Sequence, residues 1–299
     1  MPLVTITHTT HYRYRTAVTL GAHRLMLRPR ETREMRLASF DLAISPAATI
    51  DWSHDVAGNT IATARFAAPT ADLAIRSQTR VEMHAPVWPV FPIAGYAAAY
   101  PFAYTPADRT DLGALAKPQY ADRAGRLPRW VAGFVRGQPT DTLALLKDIG
   151  AGVSARISYQ SRETEGTQGP LETLDRGWGS CRDFAVLFAE AVRTLGFGAR
   201  LVSGYLYNPA GQQLGSAGPG STHAWVEVFV PGAGWIAFDP TNRSVGSTNL
   251  IPVAVARNIK QVAPVSGSFH GRRGDVLAMD VAVTVAGDPE GTAPGLSPR

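Results

Sequence analysis

The chain has 299 residues, of which 45% are hydrophobic, 18% charged and 9% aromatic, a globular mixture long enough for about two domains and a large core. The 29 glycines and 22 prolines are too few for a fibrous or low-complexity chain, and the single cysteine excludes an internal disulfide framework and any cysteine-rich metal site. The net charge of +5 is carried almost wholly by arginine, scattered without a basic run, with lysine only at Lys117, Lys147 and Lys260. No reading motif accompanies it, so no nucleic-acid partner is expected.

The start, Met1-Pro2-Leu3-Val4-Thr5, has no charged segment leading into an apolar one, so no secretory leader is expected. Residues 3–84 then read as short strands. Leu3-Val4-Thr5-Ile6-Thr7 alternates, as do residues 60–66, and residues 73–77 and 79–82 supply two more. Turn residues at 55–59 separate the runs. This predicts a β-sandwich-like module over 1–84. Residues 85–125 form a Pro/Ala/aromatic-rich connector. Its uncharged part, residues 85–104, is broken by Pro86, Pro89, Pro92 and Pro101, so it is not a membrane span. Its six aromatics are expected to cover a domain seam. With no span and no leader, the expected location is the cytoplasm.

Helical spacing begins at Trp130, Val131, Phe134 and Val135. A second helix follows the turn and cap residues Pro139-Thr140-Asp141, with Leu143, Leu145, Leu146, Ile149 and Val153 as its apolar positions. Residues 161–176 read as a loop. The strongest helix signal starts at Ser180, where Phe184, Ala185, Leu187, Phe188, Ala191, Val192 and Leu195 recur at three and four residues. Ser180 and Asp183 suit a capping box, and Gly196 and Gly198 a stop. Strands follow at 200–207, 222–230 and 235–238, the last two joined by a tight turn at 231–234. A last strand covers 275–285. The predicted catalytic unit is 126–286, including that strand, with a tail at 287–299.

Three residues could carry chemistry. Cys181 is the first helical residue after Gly177-Trp178-Gly179-Ser180, where free N–H groups and the positive end of the helix dipole favour thiolate. His223 opens a strand beside the Gly/Ser-rich loop at 214–221, where a base can reach a site built on another element. If Val230 pairs with Trp235, His223 falls near Asn242 and only a few residues from Asp239 along the ladder. Asp239 could then orient the imidazole, although an Asp-Pro-Thr turn is the competing reading.

The blocks 177–185, 222–228 and 234–242, in this order and spacing, resemble the bacterial transglutaminase-like family. Tyr12-Arg13-Tyr14, Leu25-Met26-Leu27-Arg28-Pro29-Arg30 and residues 55–59 resemble that family's N-terminal β-region. The resemblance implies an α+β chain: an N-terminal β-sandwich-like module and a papain-like core whose nucleophile helix packs on an antiparallel sheet. It implies Cys181 as nucleophile, His223 as general base and then acid, and Asp239 as the orienting group. One departure is Ala256-Arg257-Asn258-Ile259, where the family usually shows Gly-Arg-Asp-Tyr.

Acyl transfer also needs oxyanion donors. The Cys181 N–H is one, and Tyr159 is the candidate for the other. Trp178 and Trp225 flank the reactive residues and could wall a substrate channel or serve as plain core. The chain has no His-Glu-x-x-His, Gly-x-Ser-x-Gly, P-loop or Gly-x-Gly-x-x-Gly motif. No metal and no cofactor are expected, calcium included. The expected activity is a cysteine-dependent attack on the amide bond of a peptide or protein substrate. Hydrolysis is preferred to transfer onto an amine, because the loop at 214–221 suggests an open cleft. A catalytically idle peptide-binding module is the alternative.

Overall fold

Alternation of apolar and polar residues drives the N-terminal third into strands. The computed structural model describes residues 2–162, 166–210 and 220–287. It opens with β1 (Leu3–Leu20), β2 (His23–Leu25), β3 (Met35–Ser45), β4 (Ala48–His54), β5 (Thr60–Phe66) and β6 (Thr70–Met83). The connector carries β7 (Ala99–Tyr100) and α1 (Pro106–Leu112). Then come α2 (Arg126–Ala132), β8 (Thr140–Asp141), α3 (Thr142–Arg156), β9 (Ser158–Tyr159), α4 (Pro170–Arg176), β10 (Trp178–Gly179) and α5 (Cys181–Thr194). The chain continues through β11 (Ala199–Tyr207), β12 (Gly220–Val230), β13 (Gly234–Asp239), β14 (Ser244–Val245) and β15 (Leu250–Ala256). It closes with β16 (Val265–Ser266), β17 (Phe269–His270) and β18 (Val276–Gly287). Among the described residues no helix is long and apolar enough to cross a membrane.

Two sheets face each other in the N-terminal module. One runs β17-β1-β6-β3, with β18 also paired to β1, and the other runs β16-β2-β5-β4. Between them lie Tyr14, Val18, Leu25, Leu27, Leu73 and Ile75. The predicted catalytic unit is a five-stranded antiparallel sheet, β14-β13-β12-β11-β15, with α5 packed on it. Every residue of α5 from Asp183 to Arg193 is buried.

Several boundaries differ from the sequence reading. Strand β18 and the short β16 and β17 leave the catalytic unit and join the N-terminal sheets, with β18 lying along β1 from Val4↔Gly287 to Tyr14↔Val276. The N-terminal module is therefore closed by the last described segment of the chain. Nothing local announces this, because strand pairing across more than 260 positions leaves no trace in spacing. The expected loop at 161–176 contains α4, begun by Pro170 and Glu172, two residues suited to a first helical turn. The expected tail beyond Gly287, and residues 214–219 of the Gly/Ser-rich loop, lie outside the described residues.

Three of the connector's aromatics, Tyr100, Phe102 and Tyr104, pack on the catalytic unit. Tyr100 stacks on Phe197 and Phe102 meets it edge-on, and the Tyr104 hydroxyl donates to Phe229 O at 2.7 Å and accepts from Gly198 N at 3.0 Å. Trp88 stays 88% exposed. The seam itself is made by Val4, Ile6, Val81 and Met83, which join one apolar cluster with α5 and the catalytic sheet. His8 crosses the seam to the Tyr205 hydroxyl at 3.0 Å. Burial pushes its pKa down to about 4, so the ring is neutral in the folded protein at neutral pH.

A second polar tie is Asn59, buried in the turn after β4. Its amide donates to Val255 O at 2.7 Å and accepts from Val255 N at 2.8 Å. Strand β15 is the edge of the catalytic sheet, and this side chain supplies the partners that a further strand would have supplied. Arg30 holds the same amide, with Nη1 2.7 Å from Asn59 Oδ1. Asn59→Ala leaves two buried backbone groups unpaired and is expected to lower stability by about 2–4 kcal/mol in urea unfolding. An unchanged unfolding midpoint and slope would show that the tie is dispensable.

Candidate active site

The nucleophile's position follows from the capping of α5. The Asp183 carboxylate is fully buried and accepts from Ser180 N at 2.8 Å, Ser180 Oγ at 2.9 Å and Gln168 N at 2.7 Å. Arg162 closes an ion pair with it at 2.9 Å. One carboxylate thus fixes both the helix start and the segment that precedes it. Gly179 is required here, because a Cβ would lie 2.8 Å from Asp183 Cβ. Gly177 ends α4 with a φ of 68°, which a side chain would strain. Strand β10 then pairs in parallel with β9, which sets Tyr159 beside Gly179.

Cys181 emerges from this support partly exposed. Facing it, β12 pairs with β13 through Phe229↔Trp235 and Val226↔Phe238. The turn is one residue tighter than the sequence reading assumed, with Val230 opposite Gly234. Extended along the ladder, this register sets His223 opposite Thr241, two residues past Asp239. His223 Nε2 meets Asp239 Oδ2 at 2.8 Å, and both residues are buried. His223 Nδ1 is the nitrogen left for the thiol. It is buried and has no regularly aligned hydrogen-bond partner among the described residues, although the ring and the Cys181 side chain interact directly.

The electrostatics favour an ion pair. Burial alone would raise the Cys181 thiol. The hydrogen bond and charge of His223, the Ala224 N–H and Arg182 outweigh it and hold the thiol below the ordinary range. Burial would likewise lower His223, but Asp239 and then Cys181 push its pKa well above the ordinary imidazole range. For Asp239, burial is opposed by His223, Asn242 Nδ2 at 2.7 Å and Thr241 N at 2.9 Å, and the carboxylate is held ionised. The sequence reading used Asn242 only as a register position near His223 and gave it no role at Asp239; its other signal there was its place in the Asp-Pro-Thr-Asn block.

The other candidate residues separate. The hydroxyl of Tyr159 interacts with Ser161 and feels the charge of Cys181. Burial, with that charge, pushes its pKa up to about 12, so it keeps its proton. Tyr159 also lines a cleft of about 440 Å³ with Phe184, Thr241 and Asn242. Trp178 is partly exposed, with the Arg176 guanidinium 5.6 Å from its ring centre, and can still form a wall. Trp225 is 1% exposed and stacks on His223 at 6.2 Å, within a cluster that includes Val202, Leu250 and Val255. It is a core residue that supports the imidazole and cannot wall a channel. The departing segment at 256–259 serves structure: Arg257 donates to the connector carbonyls of Ala114, Lys117 and Pro118. Among the described residues no group of three or more His, Cys, Asp or Glu side chains is placed to hold a metal ion.

Comparison with known proteins agrees with this architecture. Residues 4–82 match the bacterial transglutaminase-like N-terminal region, and residues 128–240 match the transglutaminase-like superfamily. The chain thus joins a bacterial transglutaminase-like N-terminal region to a transglutaminase-like core. It is 28% identical over 292 residues to an uncharacterized protein of Mycobacterium tuberculosis, covering 94% of this chain and 91% of that one. A 71-residue stretch is 41% identical to a protein-glutamine gamma-glutamyltransferase of Pseudomonas aeruginosa, covering 23% of this chain and 10% of that protein. Its fold is shared with the crystal structure of a proposed cysteine protease from Cytophaga hutchinsonii, at a TM-score of 0.72 and 18% identity over 96% of this chain and 91% of that one.

Asp239→Asn keeps the shape of the side chain and removes the charge that supports the imidazolium. Alkylation of Cys181 at about pH 6 is expected to slow tenfold or more, because the His223 pKa falls and the thiolate fraction with it. An unchanged alkylation rate would reduce Asp239 to a turn residue.

Proposed function

We propose that this protein is a cysteine-dependent amide-bond enzyme that hydrolyses peptide or protein substrates through a thioester acyl-enzyme. The observation that carries the reading is the Cys181, His223 and Asp239 array, in which a helix-terminal thiol faces an imidazole held by a buried carboxylate.

The chemistry follows from the geometry. The Cys181 thiolate attacks the amide carbonyl carbon, a sulfur–carbon bond forms, and the carbonyl electrons move onto oxygen. The Cys181 N–H, in the first helical turn, has no intrahelical acceptor by virtue of its position and can donate to that oxygen. The protonated Tyr159 hydroxyl is the candidate second donor. Collapse expels the amine, which takes a proton from His223 Nδ1. The neutral imidazole then removes a proton from water, water attacks the thioester, and the thiolate and the imidazolium are restored with release of the acid. Asp239 stays ionised throughout and stabilises the imidazolium.

Hydrolysis is favoured over transfer by the cleft beside Asp239. Ser154, Ser158, Thr241 and Asn242 line it together with Tyr159 and Phe184. A polar cleft of this size admits water, whereas transfer needs a site that excludes water from the thioester. Transfer to an amine is the second reading, and the 71-residue likeness to a protein-glutamine gamma-glutamyltransferase supports it.

The test is partitioning. With a peptide library as acyl donor and about 10 mM primary amine against about 55 M water, the acid is expected to remain the major product by mass spectrometry. A dominant amide product would make the protein a transferase.

A further inference from the structure

We propose that Arg243 selects acyl groups carrying a carboxylate near the scissile amide, so that the substrate is an acidic peptide. This rests on the functional reading above and supplies its substrate class.

Arg243 follows Asp239 by four residues, and its backbone has a φ of 55°, the one positive φ at a non-glycine position among the described residues. Such a conformation costs free energy for any side chain, and arginine has no local hydrogen bond that would favour it. Glycine would fit without strain, so the arginine needs another reason. The turn is held on both sides. Thr241 N and Asn242 N donate to Asp239 Oδ1, and beyond Arg243 the chain pairs back through Asp239↔Ser244 and Phe238↔Val245. The carboxylate that orients the imidazole therefore also sets the direction in which Arg243 leaves the sheet.

Among the described residues Arg243 is the only charged one lining the 440 Å³ cleft. The cleft lies beside the reactive array, although Cys181 and His223 do not line it: Phe184 follows Cys181 by one helical turn, Tyr159 pairs with Gly179, and Thr241 and Asn242 donate to Asp239. Arg243 has no ion-pair or hydrogen-bond partner among the described residues. It also borders a second hollow of about 250 Å³ with Lys147 and Asp148, but Asp148 is held by Arg136 at 3.2 Å. The Asp239 oxygens are taken by His223, Asn242 and Thr241. Among the described residues no anion lining the cleft therefore pairs with the exposed guanidinium. Thr241, which also lines the cleft, has its Oγ1 buried without a hydrogen-bond partner among the described residues. A planar cation on the wall of a polar cleft suits a carboxylate, which can accept two parallel N–H bonds from it.

Three bromoacetyl reagents read this without a known substrate. Bromoacetyl-glycine carries a terminal carboxylate, bromoacetyl-glutamic acid α-amide a side-chain carboxylate, and bromoacetyl-glycinamide no charge. In each, the Cys181 thiolate displaces bromide and a sulfur–carbon bond forms. Relative to the neutral reagent, and after division by the same ratio on a small neutral thiol, at least one anionic reagent is expected to label the wild type about fivefold faster. Which one does so distinguishes a terminal from a side-chain carboxylate. Arg243→Gln should bring the ratio to about one, and about 0.5 M salt should shrink it in the wild type. Arg243→Gly, which suits the positive φ, should lose the preference too and guards against misfolding of the glutamine variant. Brisk labelling by the neutral reagent with the same ratio in all three proteins overturns this inference alone. A thiol sluggish towards all three reagents overturns the functional reading, and this inference with it.

Discussion

A helix buried on every side must find partners for its polar ends, and α5 is such a helix. From Asp183 to Arg193 it is enclosed by α2, α3, α4 and the catalytic sheet. At its start, Asp183 takes the Ser180 and Gln168 donors and the Arg162 charge, which leaves Cys181, partly exposed, free to meet His223. At its far end, Glu190 and Arg193 form a buried pair at 2.7 Å. Glu190 also accepts from Gln119 N and Tyr120 N, and Arg193 donates to Ala199 O and Arg257 O. The same helix therefore fixes the nucleophile and fastens the connector. A buried pair of this kind is costly to break from one side, since the partner left behind stays charged and dry.

The second constraint is the closure of the N-terminal module by the chain's last strand. Because β18 lies along β1 while β15 and β11 belong to the catalytic sheet, the two units are laced together by chain crossing between them. Their shared apolar cluster, the His8–Tyr205 contact and the Asn59 clamp on β15 are what this lacing encloses. The residues of the reactive array sit on α5, β12 and β13, and the N-terminal module reaches this support directly, since β18 packs against β12 and the shared apolar cluster includes α5. On the other face of the sheet, Trp225, whose ring stacks on His223, belongs to a cluster that includes Ala57.

How much of this is legible in the sequence depends on the range of the interaction. Helix α5 and its cap are local, and periodicity together with Ser180 and Asp183 marks them. The hairpin of β12 and β13 is nearly local, so its existence is readable while its register is off by one residue, a matter of turn geometry. Helix α4 is missed because seven residues with few apolar positions give no periodic signal. The pairing of β18 with β1 is invisible, since a lone alternating strand does not name its partner. Trp178 and Trp225 look equivalent in sequence, and only burial separates the partly exposed one from the core one. Arg243 carries no sequence signal at all: a left-handed backbone at arginine is imposed by the hairpin around it, and no propensity predicts it.

The account stands on an ionised Cys181–His223 pair at neutral pH, and the direct measurement is the ultraviolet absorbance of the thiolate during a pH titration. The wild type should already show the thiolate well below the pKa of about 8.5 of a free thiol. In His223→Ala the burial of Cys181 remains without its counter-charge, so the titration should move to or above the ordinary range. Coincident titrations of the two proteins, with ionisation only at alkaline pH, would contradict the pairing and the mechanism built on it.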